Sequence, residues 1–570
     1  MRKFVFQSLL AATLAVSVST TVGCNKGDPN ALETQVKKLD EEESRSEGFQ
    51  QLERIVSGIV TNPEDPRRQE FAEKVLPKFE EIWDSAEPYR EQMLTMALQI
   101  ERPEAAGIWK KAIIVDGSAE AHKQAIIAFQ GIRAANATEL GGPIAEQFKA
   151  LNESPGKDMG AGQEGALRYE MAKTLGELKA SEGVDVLIET LEIPEETMGE
   201  AKPVYKAAID ALGQIGDPKA VDALITVQFA VADAPGTQSI GERGVRALGA
   251  IGEPAVPKLL ETVEGKNEKV NKLAVEKGAD VTSVQATAVR TLGVIGSKTA
   301  AEAVIAYMPQ RDCGEEPEEI EDEDELGQMA LLRQVAANAL GQMRAESAVP
   351  ALCSCRDATH DPGDTWVVVS ALGRIASPEA FECLETVVSE GYYDPEIMGA
   401  SDLKYTLRWE AARWMIIAAA PDNVADVKAV IEGNDPKVKE EVEKLGWMKG
   451  LAVVEECKDD KDCYGKVLAD TTRDWFEREV AAFNFARRSE PGDTEAAVQL
   501  AKAFKTRDPS ARVNIAWLTA SVAGDEPCPE CAAELEKVMK SEELTKDRLM
   551  QGAWLTARQS IAKVGGGSED

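Results

Sequence analysis

Apolar residues recur at three- and four-residue steps along most of this chain, the spacing that lines one face of an α-helix. Between Pro203 and Phe229, one stripe is Val204, Ala208, Ala211, Leu212 and Ile215, and a second is Ala220, Val221, Leu224 and Ile225. Gly216-Asp217-Pro218 separates them. Gly216 can take the left-handed conformation that ends a helix. Asp217 can cap the next helix, and Pro218 suits a first position where no amide donor is needed. The pattern predicts a helix, a tight turn and a second helix. No segment alternates with a period of two over a useful length, so no sheet is expected.

The pair returns. Leu212-Gly213-Gln214-Ile215-Gly216, Leu248-Gly249-Ala250-Ile251-Gly252 and Leu292-Gly293-Val294-Ile295-Gly296 share one pattern. Looser copies stand at Leu175-Gly176-Glu177-Leu178, Leu340-Gly341-Gln342-Met343 and Leu372-Gly373-Arg374-Ile375-Ala376. From Gly176 to Gly373 the first glycines follow at steps of 37, 36, 44, 48 and 32 residues. A glycine inside a helix costs up to about 1 kcal/mol relative to alanine. Its return at one place in the repeat implies a neighbouring helix packed against the bare backbone. Gly252-Glu253-Pro254, Gly296-Ser297 and Ala376-Ser377-Pro378 repeat the turn and helix start. Neither helix of a pair can bury its stripe alone, so the pairs must stack into an all-α solenoid.

These motifs resemble HEAT repeats, specifically the short kind shared with the phycobilin-lyase-like group. The resemblance is clearest over 165–390, and weaker helix pairs carry it over 48–564. It implies a right-handed α–α superhelix with a concave surface that grips a partner. It implies no activity, because the same repeat serves scaffolds, adaptors and some enzymes. Flanking the solenoid, 24–47 reads as a polar tether and 565–570 as a flexible tail. An acidic insertion at 312–326 accounts for part of the 48-residue step. Since repeats contact only their neighbours, an elongated monomer is expected.

The formal net charge of −35 argues against nucleic acid, whose binders need cations to displace phosphate counterions. It fits either an acidic, solvated surface or a concave acidic groove for a basic protein partner. The second helices between Val184 and Val388, where the repeats are most regular, are the expected place for such a groove. The run Asp312–Glu325 lacks the alternating ligands and turn glycine of a calcium loop, and reads as a solvated insertion.

At the amino terminus, Arg2 and Lys3 precede an apolar stretch from Phe4 to Val18, too short for an ordinary membrane span. It ends at Thr21-Val22-Gly23-Cys24. This resembles a bacterial lipoprotein signal over 1–23, which implies cleavage before Cys24 and a lipid on that cysteine. Thr21 departs from the leucine usual in that family. Asn25, rather than aspartate, implies the outer membrane of the cell envelope.

Eight further cysteines, an even number, suit an oxidising compartment. Cys457 and Cys463 flank the charged turn Lys458–Asp462 and are expected to close it. Cys528 and Cys531 stand at a helix start, where a local disulfide is expected and a thiol-redox pair is the alternative. Cys313, Cys353, Cys355 and Cys383 fall in adjacent repeats and could staple them, with the pairing unreadable.

Some iron-dependent hydroxylases built from HEAT-like repeats bind metal through His-Glu pairs. This chain has two histidines, His122 and His360, and no such pair. It has neither a Gly-x-Ser-x-Gly elbow nor a phosphate-cradling glycine loop. No catalytic residue, metal ligand or cofactor is expected. Trp366, Trp409 and Trp414 lie among apolar stripes and read as core. The leading reading is a non-catalytic, lipid-anchored envelope scaffold or adaptor that binds a protein partner along its groove. The alternatives are an enzyme or redox module using Cys528 and Cys531, and a purely structural spacer.

Overall fold

The computed structural model describes residues 31–114, 118–153, 161–192, 198–230, 240–308, 323–358, 362–390, 401–506, 508–524, 526–541 and 548–565. Every regular element among them is helical. Contacts divide the chain into two compact units, Met1–Trp109 and Lys110–Asp570, a boundary inside the single 48–564 solenoid expected from sequence.

In the first unit the expected 24–47 tether is already structured from Leu32 onward. Helices Leu32–Asp40 and Glu42–Ile59 pack together, with Gln35, Leu39 and Phe49 buried. Leu32, Gln35 and Leu39 form a short stripe that the surrounding charge hides from a composition-based reading. Lys38 pairs with Glu47 at 2.7 Å, and Phe49 stacks on Tyr89 at 4.5 Å.

The second unit is built of the repeated pair. Helix Met198–Ile215 ends at Gly216, whose φ of 76° is the left-handed stop, and Asp217 accepts from the Lys219 amide at 2.8 Å. Pro218 opens the next turn. Val204, Ala208, Ala211 and Leu212 are all buried. At the matching place in a later repeat Ala376 holds φ 56°, so the stop there carries a β-carbon in a region that disfavours it.

The first helices of the repeats form one row: α1 (Ala161–Glu177), α2 (Met198–Ile215), α3 (Ile240–Ile251), α4 (Val281–Ile295), α5 (Glu323–Met343), α6 (Pro362–Ile375) and α7 (Ser401–Ala418). Gly176, Gly213, Gly293 and Gly341 sit where the neighbouring backbone comes close, while Gly249 and Gly373 make room for the side chains of Val294 and Trp414. A β-carbon on Gly213 would stand 2.7 Å from Ala247 Cα, and one on Gly293 2.8 Å from Ala339 Cα. Gly213→Ala should therefore destabilise the protein by about 1–3 kcal/mol through overpacking, despite alanine's better helix propensity. Gly552 lies inside a helix with nothing near its missing β-carbon. Gly552→Ala should instead stabilise, by up to about 1 kcal/mol. Chemical denaturation of the two variants should move the transition in opposite directions.

The row continues through α8 (Trp475–Arg487), α9 (Pro509–Ala523) and α10 (Arg548–Lys563), and α10 packs back on α3. Helices α3 to α10 thus make a closed circuit in which each touches the next and the last touches the first. The second helices, such as Val221–Ala230 and Val256–Val263, pack against this row of first helices and are not themselves members of the circuit.

Candidate functional site

In the second unit a cleft of about 680 Å³ lies between the start of helix Pro378–Glu390, helix Val424–Glu432 and the end of α8. Phe381, Met415, Val427 and Val430 give it an apolar floor, while Glu382, Glu385, Asp422 and Asp426 stand exposed around it. Arg487, which also lines the second recess described below, and Arg488 are on its wall; Arg488 donates to Asp459 Oδ1 at 3.2 Å and to the Lys458 carbonyl at 3.1 Å. The recess is an acidic rim over an apolar floor, and it lies mostly beyond Val388.

A second recess has the opposite sign. The carboxyl ends of α4, α5, α8, α9 and α10 converge on a cavity of about 440 Å³. Helix ends of this kind expose carbonyls and carry partial negative charge, which draws cations. Two of the lining cations answer that need directly. Lys563 Nζ donates to the Ile295 carbonyl at 2.7 Å, and Arg487 Nη2 to the Ala418 carbonyl at 2.9 Å.

Arg344 does something else. Its guanidinium lies 4.8 Å over the Trp517 ring, and its buried Nε has no hydrogen-bond partner among the described residues. Burial, and then the charge of Arg487, push the Arg344 pKa down to about 10. Arg487 is solvent-accessible, yet burial, and then Arg488, lower its pKa too. A side chain both accessible and desolvated faces a recess rather than open water. Lys298 and one carboxylate, Glu253, complete the charged lining, and Glu253 already accepts from Ser297 Oγ at 3.1 Å. Behind the cavity Arg374 donates to Asn338 Oδ1 at 2.8 Å, with its pKa lowered to about 10 by burial.

Lys563 also borders a cavity of about 210 Å³ with Lys179, Asp210 and Arg246. Arg246 is 4% exposed, and among the described residues its Nε and Nη1 have no hydrogen-bond partner. Burial lowers its pKa, opposed by Asp210. Asp210 itself is bonded to Arg243.

The sequence-predicted residues fall elsewhere. Sulfur atoms join Cys457 to Cys463, Cys528 to Cys531, and Cys353 to Cys383, a pairing the sequence leaves open. Cys528 and Cys531 are buried, and the Cys528 amide donates to the Val564 carbonyl at 2.8 Å, so the turn pins the end of α10. Cys24, Cys313 and His360 lie outside the described residues, as do 312–322 of the acidic insertion and 566–570 of the tail; α5 begins at Glu323. The Cys355 side chain is likewise outside them. His122 Nε2 lies 3.0 Å from the Gln163 carbonyl. Trp414 is core, at 3% exposure, but Trp366 is 39% exposed and is not. Among the described residues, no cluster of histidine, cysteine and carboxylate groups could hold a metal ion, and no helix is long and apolar enough to cross a membrane.

Residues 161–230 match the family of HEAT repeats, and residues 332–357 match that of PBS lyase HEAT-like repeats. The chain is a helical solenoid that carries HEAT repeats. Among curated proteins, none matches it. Among solved structures it is similar to human deoxyhypusine hydroxylase in complex with glycerol, at 18% identity over 54% of this chain and 96% of that one. The TM-score is 0.18, and a likeness that weak carries no argument about activity.

Proposed function

We propose that this protein is a non-catalytic scaffold of the cell envelope, anchored by lipid on Cys24, that holds a basic segment of a protein partner in the acidic cleft. The observation that carries this reading is the cleft itself, with Glu382, Glu385, Asp422 and Asp426 exposed over an apolar floor. A lysine or arginine side chain suits such a recess: its aliphatic stem covers the floor and its charged end meets the rim. Opposite charge speeds encounter and makes the association weaken as salt rises. HEAT repeats are consistent with protein interaction, and lipid chains supply about 0.8 kcal/mol per buried methylene, enough when combined to anchor without a spanning helix.

The test is chemical cross-linking in intact envelopes, comparing the wild type with the triple variant Glu382→Lys, Asp422→Lys, Asp426→Lys. The wild type should capture one partner in a salt-sensitive way, and the triple variant should lose it. Equal capture by both would exclude the cleft. Cys24→Ser should shift the protein from the membrane to the soluble fraction; a wild type that is already soluble would remove the anchor from the reading.

A further inference from the structure

The cationic cavity has no part in that reading. On a chain of net charge −35, its lining holds Lys298, Arg344, Arg487 and Lys563 against the single carboxylate Glu253. Such a local excess of positive charge is costly to assemble, because like charges repel and each loses hydration as the helices close. Helix carbonyls account for Lys563 and for part of Arg487. They do not account for Arg344, whose side chain is given to the face of Trp517 and whose Nε is left without a partner. A guanidinium that meets a ring as a cation spends none of its N–H donors there, and those donors are what grip two oxygens at once.

We propose that this cavity binds a small, multiply charged oxyanion, a polyphosphate or a polycarboxylate, gripped by Arg344 and Arg487 beside Trp517. The volume of about 440 Å³ lies in the range of small-molecule sites and is too small for a folded partner. Ser521 adds a hydroxyl to the same space, whereas Ser489 and Thr556 already donate theirs to the Phe485 and Gly552 carbonyls, at 2.9 and 3.1 Å, so the grip on an anion falls to the cations. A single negative charge would leave the two guanidiniums in mutual repulsion, whereas two or more compensate both. Desolvation at Arg344 and Arg487 works in the same direction, since a bound anion would restore what burial takes away. In the separate cavity that Lys563 also borders, Arg246 is buried with two nitrogens that have no partner among the described residues, the same excess of donors.

The experiment is calorimetric titration of the detergent-purified full chain with inorganic phosphate, pyrophosphate and citrate in low-salt buffer. Pyrophosphate or citrate should saturate one site per chain and bind more tightly than phosphate. Preference for pyrophosphate assigns a phosphate ligand, and preference for citrate a carboxylate. Arg344→Gln should weaken binding about ten-fold or more, as expected for a lost charge-assisted contact. Arg344→Lys keeps the charge without the fork and should fall between the two. Arg54→Gln, on an exposed helix face of the first unit, should change nothing. Thermal melts identify any Arg344 variant that fails to fold, and Arg487→Gln then serves in its place. Absence of saturable binding to all three anions, or equal affinity in the wild type and folded Arg344 and Arg487 variants, would overturn the proposal.

Discussion

Replacing Glu479 with alanine is expected to cost about 3–5 kcal/mol, more than most single substitutions in this chain. Glu479 is fully buried on α8. It accepts two bonds from Arg413 Nη2 of α7, at 2.9 and 2.7 Å, and one from Asn514 Nδ2 of α9, at 2.7 Å. Burial pushes the Glu479 pKa up, opposed by Arg413, so the carboxylate depends on that arginine to stay charged. Without Glu479 the Arg413 guanidinium, 5% exposed, keeps its charge and loses its principal partner. Glu479→Gln retains an acceptor for Asn514 and should cost less than alanine. Denaturant unfolding followed by circular dichroism measures both, and an alanine variant within about 1 kcal/mol of wild type would mean that water reaches Arg413.

Trp554→Ala is expected to cost about 3–5 kcal/mol, and Trp366→Ala at least about 1 kcal/mol less than that. Trp554 is 3% exposed on α10, 5.8 Å from the Phe504 ring, with the Arg512 guanidinium 5.2 Å from its own centroid. Its loss opens a void between α9 and α10, at the point where α10 must lie correctly to reach α3. Trp366 stands at 39% exposure, so it has less packing to lose than Trp554. The pair separates a tryptophan that holds the circuit from one that the sequence alone places in the core.

The local unit was legible because its causes are local. Gly213 marks a backbone contact, Gly216 a left-handed stop and Asp217 a cap, and each rests on residues a few positions apart. The closure was not legible. Nothing near Gln559 shows that it will donate to Glu242 at 3.0 Å, because the two belong to different repeats with unrelated neighbours. The cationic cavity shares that fate. Arg344 follows one glycine motif, Arg487 ends a helix with no such motif, and Lys563 adjoins a stretch that reads as a flexible tail. Only the closed circuit brings them together. Net charge misled in the same way, since a chain of −35 gives no hint of a cavity of opposite sign.

The hydrogen bond from Gln559 to Glu242 spans 317 positions of sequence, and that from Lys563 to the Ile295 carbonyl spans 268. Chains are made, and exported, from the amino end, so α3 is in place before its last neighbour arrives. An open stack could fold as it emerges, each pair settling on the one before. Here the final latch must wait, and a loop of several hundred residues has to be brought together to shut it, a slow, high-contact-order event. Until that moment the face of α3 that α10 will cover, with Arg243 and Arg246 on the same helix, stays wet. The interval is when this protein is most open to mispairing, and a chain cut short before Arg548 never leaves it.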